Sequence, residues 1–296
     1  MNYKPLRRQL DEICRKTSTR LDVIQQDYLL TWLLFGIYQH EDLKNNLVFK
    51  GGTALKKCYF GEYRFSEDLD FSARNDAPSA SSLFRAISET CKEVEGKMNE
   101  SAQIALYVKR YLEKSPHPNN QEAFTISAQF PWQRQPLTKV MIEISRDEVI
   151  LFEAKTQPLM HTYEQEIEQE LLVYSLEEIV IEKLRAILQH TKKIHERDWS
   201  RSRARDYYDL WHIFRSFEND LVFEDMPTLL REKCSNKNVE FNNVDSFYDP
   251  VMIENVLKTW DRWLGPLVTN LPNCTQVLDE VRLKIEKLFT SIESKV

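Results

Sequence analysis

One short stretch of the chain, residues 47 to 73, limits the possible fold most strongly. It begins with the apolar tripeptide LVF (47–49), passes through Gly51-Gly52 and ends in the segment LDFSA (69–73). Only six of the 296 residues are glycine, so an adjacent pair after an apolar run predicts a tight turn following a short buried strand. The next residues, TALKKC, predict a helix, and a glycine turn at a helix start can bind phosphate. An ordinary tight turn is the commoner explanation of such a pair.

The strand that follows places two carboxylates on one face. Side chains alternate along a strand, so Asp68 and Asp70 point the same way and the apolar residues after each of them point the other way. Two neighbouring carboxylates repel each other, and Mg²⁺ accepts such hard oxygen ligands. A later predicted strand, KVMIEIS (139–145), carries Glu143 on its polar face and, as an antiparallel neighbour, could supply a third ligand. Taken singly, a solvated strand end and a surface glutamate explain these residues more simply.

Apolar periodicity predicts the remaining elements. Helices are expected at 23–39 and 81–99, and strands at 47–49, 69–73, 124–130 and 139–145. After Pro158 we expect no strand, only helices, including 176–191 and those near 251–264 and 275–294, with a loop at 236–249. The pattern predicts an α+β N-terminal half and an all-helical C-terminal half, with the boundary near 160–175.

Two helices of the C-terminal half carry further candidates. Ser175 and Glu178 form a capping-box sequence at the start of one helix. Lys183 lies on that helix among apolar residues, where it either extends to the surface or is held for a phosphate. Asp206 and Asp209 are one turn apart on the next helix, and Arg205 could pair with Asp209 at i+4 spacing.

Composition narrows the function classes. The five cysteines are scattered without a C-x-x-C pair, and the six histidines form no metal-binding motif. The net charge of −6 gives no general attraction for nucleic acid, so RNA contact would need a local patch. The basic, irregular run at 192–205 is one candidate, and a solvated face explains it equally well. No apolar run is long enough to span a membrane and no signal peptide is evident, so we expect a cytoplasmic protein.

In combination these motifs resemble a known family. A strand, a Gly-Gly turn and an Asp-x-Asp pair are typical of nucleotidyltransferases with the polymerase β-like fold. The longer pattern FKGGTAL…RFSEDLDF is similar to the AbiEii/AbiGii abortive-infection toxins of bacterial type IV toxin–antitoxin systems. EKLRAIL around Lys183 and RARDYYDLW around Asp206 resemble the family's later motifs. The resemblance covers about residues 47–214.

The resemblance implies an organisation and a site. It implies a nucleotidyltransferase-like domain at 1–165 and a helical domain at 166–296 that completes the active-site cleft. Asp68, Asp70, Lys183 and Asp206 are then catalytic, with Mg²⁺ held by Asp68, Asp70 and Glu143. The predicted nucleotide-binding residues are Gly51, Gly52, Thr53, Ser66 and Lys183.

The resemblance also implies a reaction. The expected activity is Mg²⁺-dependent transfer of a nucleotide from an NTP to an acceptor hydroxyl, on RNA and especially tRNA. The expected role is that of a toxin in a toxin–antitoxin or phage-defence system with a cognate antitoxin. The acidic tract TYEQEIEQE (162–170) lies behind the cleft or contacts the antitoxin. Alternatives are nucleotidylation of a protein, NTP binding without transfer, and a non-catalytic binding protein.

Overall fold

The computed structural model describes residues 4–111, 121–197 and 202–290. The chain divides into two compact units, each with its own core. The first comprises residues 1–148 and 154–174, and the second comprises 149–153 and 175–296. The predicted domain limits of 1–165 and 166–296 stay a prediction.

The first unit is built from a mixed sheet and helices. Its elements are α1 (Leu6–Thr17), α2 (Leu21–Gln39), α3 (Glu41–Lys44), β1 (Leu47–Lys50), α4 (Gly51–Ala54), a π-helical turn (Leu55–Phe60), β2 (Asp68–Ala73), α5 (Ala80–Met98), β3 (Ala105–Tyr111), β4 (Gln121–Gln129), β5 (Thr138–Ser145), β6 (Lys155–Pro158) and β7 (Glu170–Val173). The seven strands form one sheet in the order β3-β4-β5-β2-β1-β7-β6. Two neighbouring pairs, β2–β5 and β1–β7, run parallel and the others antiparallel.

The expectation of no strand after Pro158 is wrong. β7 lies at Glu170–Val173, where it pairs with β1 and β6. Its four residues overlap the end of the acidic tract and are too few to show alternation in the sequence. Leu171 and Val173 are buried nevertheless. Burial between two neighbouring strands, a tertiary effect, makes this segment a strand.

A buried polar cluster crosses the core of the first unit. The helix predicted at 23–39 is α2, and its buried carboxylate, Asp27, accepts hydrogen bonds from Lys57 (Nζ to Oδ2, 2.8 Å) and from the Tyr163 hydroxyl (2.7 Å). Burial raises the pKa of the Asp27 carboxyl, but the charges of Lys57 and Lys56 and the hydrogen bonds outweigh it, so this pKa lies below its usual value. The cluster ties α2 to the π-helical turn that follows the Gly-Gly pair.

The second unit is helical in its described part, as predicted. Its elements are α6 (Leu176–Arg197), α7 (Ala204–Phe217), α8 (Met226–Ser235), a 3-10 helix (Val244–Tyr248), α9 (Pro250–Leu264) and α10 (Cys274–Thr290). α6 extends to Arg197 and so includes the first part of the run that the sequence predicted to be irregular. Residues 198–201 of that run and residues 291–294 of the last predicted helix lie outside the described residues.

Only one of the two hydrogen bonds of the predicted capping box forms. The Ser175 hydroxyl accepts from the Glu178 backbone N–H at 3.2 Å. The Glu178 carboxylate does not return to the helix start, because it accepts from the backbone N–H groups of Leu151 and Phe152 (2.7 and 2.9 Å) and from Lys233 (2.6 Å). Glu178 is fully buried, and these bonds attach residues 149–153 to the second unit.

Candidate active site

The Gly-Gly turn packs directly against the side chains of Asp70 and Arg64. Gly51 has φ of 80°, a conformation that side-chain-bearing residues rarely adopt, and a Cβ there would overlap the Asp70 carboxylate. A Cβ on Gly52 would overlap the guanidinium of Arg64. A side chain at Gly51 would therefore be strained by its φ and would displace the Asp70 carboxylate, and a side chain at Gly52 would displace the end of the Arg64 side chain.

The next residues hold this turn against β2. The Thr53 hydroxyl is buried and donates to the Asp68 carbonyl at 2.6 Å. Ser66 is half-buried in the segment that leads into β2. Arg64 is 5% exposed, and sequence reasoning did not single it out. The sequence signal for Arg64 is its place at the start of the motif RFSEDLDF, close to acidic residues. The structure adds that its guanidinium is buried, which is uncommon for an arginine that has no specific role.

The carboxylates of β2 lie on one face, as predicted. Asp68 and Asp70 are both partly accessible, whereas Leu69 and Phe71 on the other face are fully buried. Lys50, at the end of β1, lies opposite Asp70 in the β1–β2 register. Lys50 is another candidate that the sequence did not indicate, and its buried ammonium lies 5.8 Å from the centre of the Tyr174 ring.

Glu143 lies beside Asp70, but not as predicted. β2 and β5 pair in parallel, not antiparallel, and their register places Glu143 next to Asp70 and Met141 next to Asp68. Strands far apart in sequence carry no signal of their mutual direction, so the sequence could not decide this point. The Glu143 carboxylate accepts from the Gln121 side chain at 2.8 Å.

The carboxylates of Asp68 and Asp70 are suited to a Mg²⁺ ion that is carried by a nucleotide. Among the described residues, no group of three His, Cys, Asp or Glu side chains is arranged to hold a metal on its own. Nucleotide-bound Mg²⁺ needs fewer protein ligands, because one or two carboxylates suffice when phosphates and waters supply the other oxygens. Asp68 and Asp70, partly accessible on one face of β2, fit that requirement.

In the second unit, Lys183 is buried between two carboxylates. Its ammonium lies 2.6 Å from Asp209 Oδ2 and 3.1 Å from Asp206 Oδ1, and the side chain does not extend into solvent. Asp209 is fully buried, and Arg203 approaches Asp206 from the start of α7 at 3.1 Å. Arg205, the predicted partner of Asp209, places its guanidinium 5.4 Å from the centre of the Trp263 ring.

The charges around Asp206 keep it ionised. Burial raises the pKa of the Asp206 carboxyl, but the positive charges of Lys183 and Arg203 lower it by more, so this pKa lies below its ordinary value of 3.8. At neutral pH Asp206 is a hydrogen-bond acceptor that faces a buried ammonium. Such a compensated cluster inside a helical unit is typical of a functional site as well as of a structural ion pair.

The fold of the chain is shared with a solved protein structure. The structure of MenT4, a nucleotidyltransferase toxin from Mycobacterium tuberculosis H37Rv, is similar to this chain with a TM-score of 0.59 and 20% identity, over 95% of this chain and 88% of that one. The fold is thus the mixed-sheet fold of nucleotidyltransferase toxins, with helices in the C-terminal part.

The family follows from the sequence. The family model described as nucleotidyl transferase AbiEii toxin, type IV TA system, matches residues 32–287. The chain belongs to this family of nucleotidyltransferase toxins, whose members use NTPs and act with an antitoxin. Family membership decides for an enzyme over the non-catalytic alternative. No curated protein sequence matches the chain. Among the described residues, no helix is long and apolar enough to cross a membrane.

Proposed function

We propose that this enzyme transfers a nucleotide from an NTP to a hydroxyl group of RNA, with tRNA as the acceptor, in a Mg²⁺-dependent reaction. It acts in the cytoplasm as the toxin of a toxin–antitoxin pair and contributes to phage defence by abortive infection. The family supports transfer and toxicity, and the acceptor, the metal and the phage-defence role are the proposed part.

One observation carries the proposal. Asp70 and Glu143 lie side by side on β2 and β5, Asp68 lies on the same face, and the Gly51-Gly52 turn packs against Asp70. This arrangement brings hard oxygen ligands to a turn at a helix start, where phosphate is favoured. Asp68 and Asp70 would hold Mg²⁺, which would supply positive charge to offset the negative charge on the transferred phosphoryl group.

The residues of the first unit then have distinct roles. Asp68 and Asp70 hold the metal, with Glu143 as the third ligand. Gly51, Gly52, Thr53 and Ser66 contact the phosphates, and the buried Thr53 hydroxyl also fixes the turn to β2.

The second unit contributes two residues to the proposed reaction, Lys183 and Asp206. Lys183 neutralises triphosphate charge, and Asp206 receives the hydrogen bond of the acceptor hydroxyl. Because the pKa of Asp206 is lowered, its carboxylate is a weak base at neutral pH, which favours orienting the hydroxyl over removing its proton. Asp209 holds Lys183 in place through the 2.6 Å contact.

The test is incubation with labelled NTPs, Mg²⁺ and total bacterial RNA, followed by separation of RNA from protein. We expect label on RNA that depends on Mg²⁺. Asp70→Ala should abolish the labelling and the growth inhibition on expression, whereas the matched variant Asp76→Ala, at an exposed position after β2, should retain both. Label on protein alone would assign a protein acceptor. A fully toxic Asp70→Ala variant would refute the metal assignment.

A further inference from the structure

One face of the sheet is accessible across four neighbouring strands. On β2, β5, β4 and β3, the residues of one parity are mostly buried in the core, among them Phe71, Ile142 and Phe124. Apart from the buried Ser72, the residues of the other parity on these strands are partly accessible or exposed. Asp68 and Asp70 belong to this accessible set, so the predicted metal ligands lie on a surface that extends past them to the edge strand β3.

Strand register arranges this face in rows. The first row runs Asp70, Glu143, Ala123, Tyr111, and the second runs Asp68, Met141, Thr125, Lys109. A third row contains Lys139, Ser127 and Tyr107. Tyr111 is thus the last residue of the row that begins with Asp70, three strand spacings of about 4.8 Å, or about 14 Å, away.

The edge strand presents two aromatic rings and a positive charge. Tyr107 and Tyr111 are 46% and 43% exposed, and Lys109 between them is also exposed. All three have the same parity, so they stand in one line along β3 at intervals of about 7 Å. Exposed tyrosines in a line on an open sheet are unlike the isolated surface aromatics found on most proteins.

The strand between this line and the carboxylates carries only small side chains in its central rows. Ala123, Thr125 and Ser127 of β4 are partly accessible. Because these side chains are shorter than the outward side chains of β3 and β5, we call the strip between those two strands the trough. No acidic residue occupies an outward position of β4 (Gln121–Gln129) or β3 (Ala105–Tyr111), although the whole chain has a net charge of −6. Lys139 adds a further positive charge at the end of the trough.

We propose that this trough binds single-stranded RNA and leads its reactive end to the row of Asp70 and Glu143. The acceptor identity rests on the function proposed above, whereas the surface follows from register, exposure and charge. Bases stack on Tyr107 and Tyr111, the intervening phosphate lies at Lys109, and the strand crosses the small residues of β4. Aromatic side chains interleaved with a cation on an open sheet are a recurrent means of holding unpaired nucleotides.

The geometry favours unpaired over paired nucleotides. In a duplex the base faces are stacked on one another and its deep major groove is closed to side chains, so the two tyrosines would find no ring to contact. A protein partner would use this edge differently, by adding a strand to the backbone of β3. Charge complementarity and the line of tyrosines argue for the nucleic acid, and the experiment below separates the two.

The test measures binding without chemistry, using a fluorescein-labelled single-stranded RNA dodecamer, the same dodecamer annealed to its complement, and deacylated bacterial tRNA. Relative to wild type, Tyr107→Ala/Tyr111→Ala should raise the Kd for the single strand and for tRNA at least about tenfold, because two stacking contacts are lost. Tyr107→Phe/Tyr111→Phe keeps the rings and should stay within about twofold. Lys109→Gln should reduce the salt dependence of binding by about 0.7 in log–log slope. The matched control Lys92→Gln, on α5 at an exposed site, should leave it unchanged.

The outcomes distinguish this surface from the proposed reaction. Thermal stabilisation by Mg²⁺ and NTP should be equal in wild type and the alanine double variant, since the nucleotide site is intact. Three results would refute the proposed RNA-binding surface: equal RNA affinity of wild type and the alanine double variant, equal wild-type affinity for duplex and single strand, or no wild-type binding to any probe. So would a double variant that escapes the purified antitoxin while binding RNA normally. If wild type binds the dodecamer through the tyrosines but labels no RNA, the proposed acceptor fails and the surface stands.

Discussion

Replacing Gly51 by alanine tests whether the Gly-Gly pair serves the active site or only the turn. Gly51 has φ of 80°, and a Cβ would overlap the carboxylate of Asp70. Holding a side-chain-bearing residue in such a conformation costs about 1–3 kcal/mol. The new methyl group also pushes Asp70 away from the row that it forms with Glu143.

Gly61 provides a matched control. It has φ of 65°, so Gly61→Ala meets a similar backbone penalty, but the nearest atom to its Cβ would be Met160 Sδ at 3.5 Å, an ordinary contact. We therefore expect both variants to lose about 1–3 kcal/mol of unfolding free energy. Gly51→Ala should lose more than Gly61→Ala by the cost of displacing Asp70.

The difference should be much larger in activity. A displacement of about 1 Å at a reacting centre can cost about 100-fold in rate, so Gly51→Ala should lose about 100-fold in kcat for label transfer from NTP to RNA. Gly61→Ala should stay within about threefold of wild type. Stability is measured by urea unfolding with tryptophan fluorescence, and rates are measured at a temperature where both variants are folded. Equal rates for the two variants would refute the argument that the glycine makes room for Asp70.

Three further perturbations test other parts of the structure. Lys183→Met leaves the carboxylates of Asp206 and Asp209 buried without their shared cation and should cost about 3–5 kcal/mol in urea unfolding; adding Asp209→Asn should recover part of this loss, and an unchanged midpoint for the single variant would contradict the burial. Because the pKa of Asp206 is lower in the folded protein than its ordinary 3.8, its contribution is complete above that value and is lost as pH falls through the folded pKa, so Asp206→Asn should flatten the stability profile below about pH 4. Glu143→Gln should raise the Mg²⁺ concentration needed for half-maximal transfer while leaving the free energy of unfolding within about 0.5 kcal/mol of wild type. The exposed control Glu93→Gln should change neither quantity. An unchanged Mg²⁺ requirement in Glu143→Gln would remove Glu143 from the metal site.

The two faces of β2 could be predicted from the sequence alone. Alternation in LDFSA separates the aspartates from Leu69 and Phe71, and β2 shows this separation. The glycine pair also indicated a change of chain direction after β1, although α4 begins at Gly51 and not after the pair. These features depend on neighbours in the chain, which is why a single sequence carries them.

Other features depend on which distant segments meet. The parallel direction of β5, the strand β7 and the row that joins Asp70 to Tyr111 all arise from pairing between segments far apart in the chain. The sequence left two choices for Lys183, the surface or a phosphate. Packing of α6 and α7 excludes the surface, because it buries the Lys183 ammonium against Asp206 and Asp209. The side-chain pattern fixes which residues share a face of a strand. Only hydrogen bonding between strands fixes which residues of different strands become neighbours. The candidate site of the first unit is made of such neighbours.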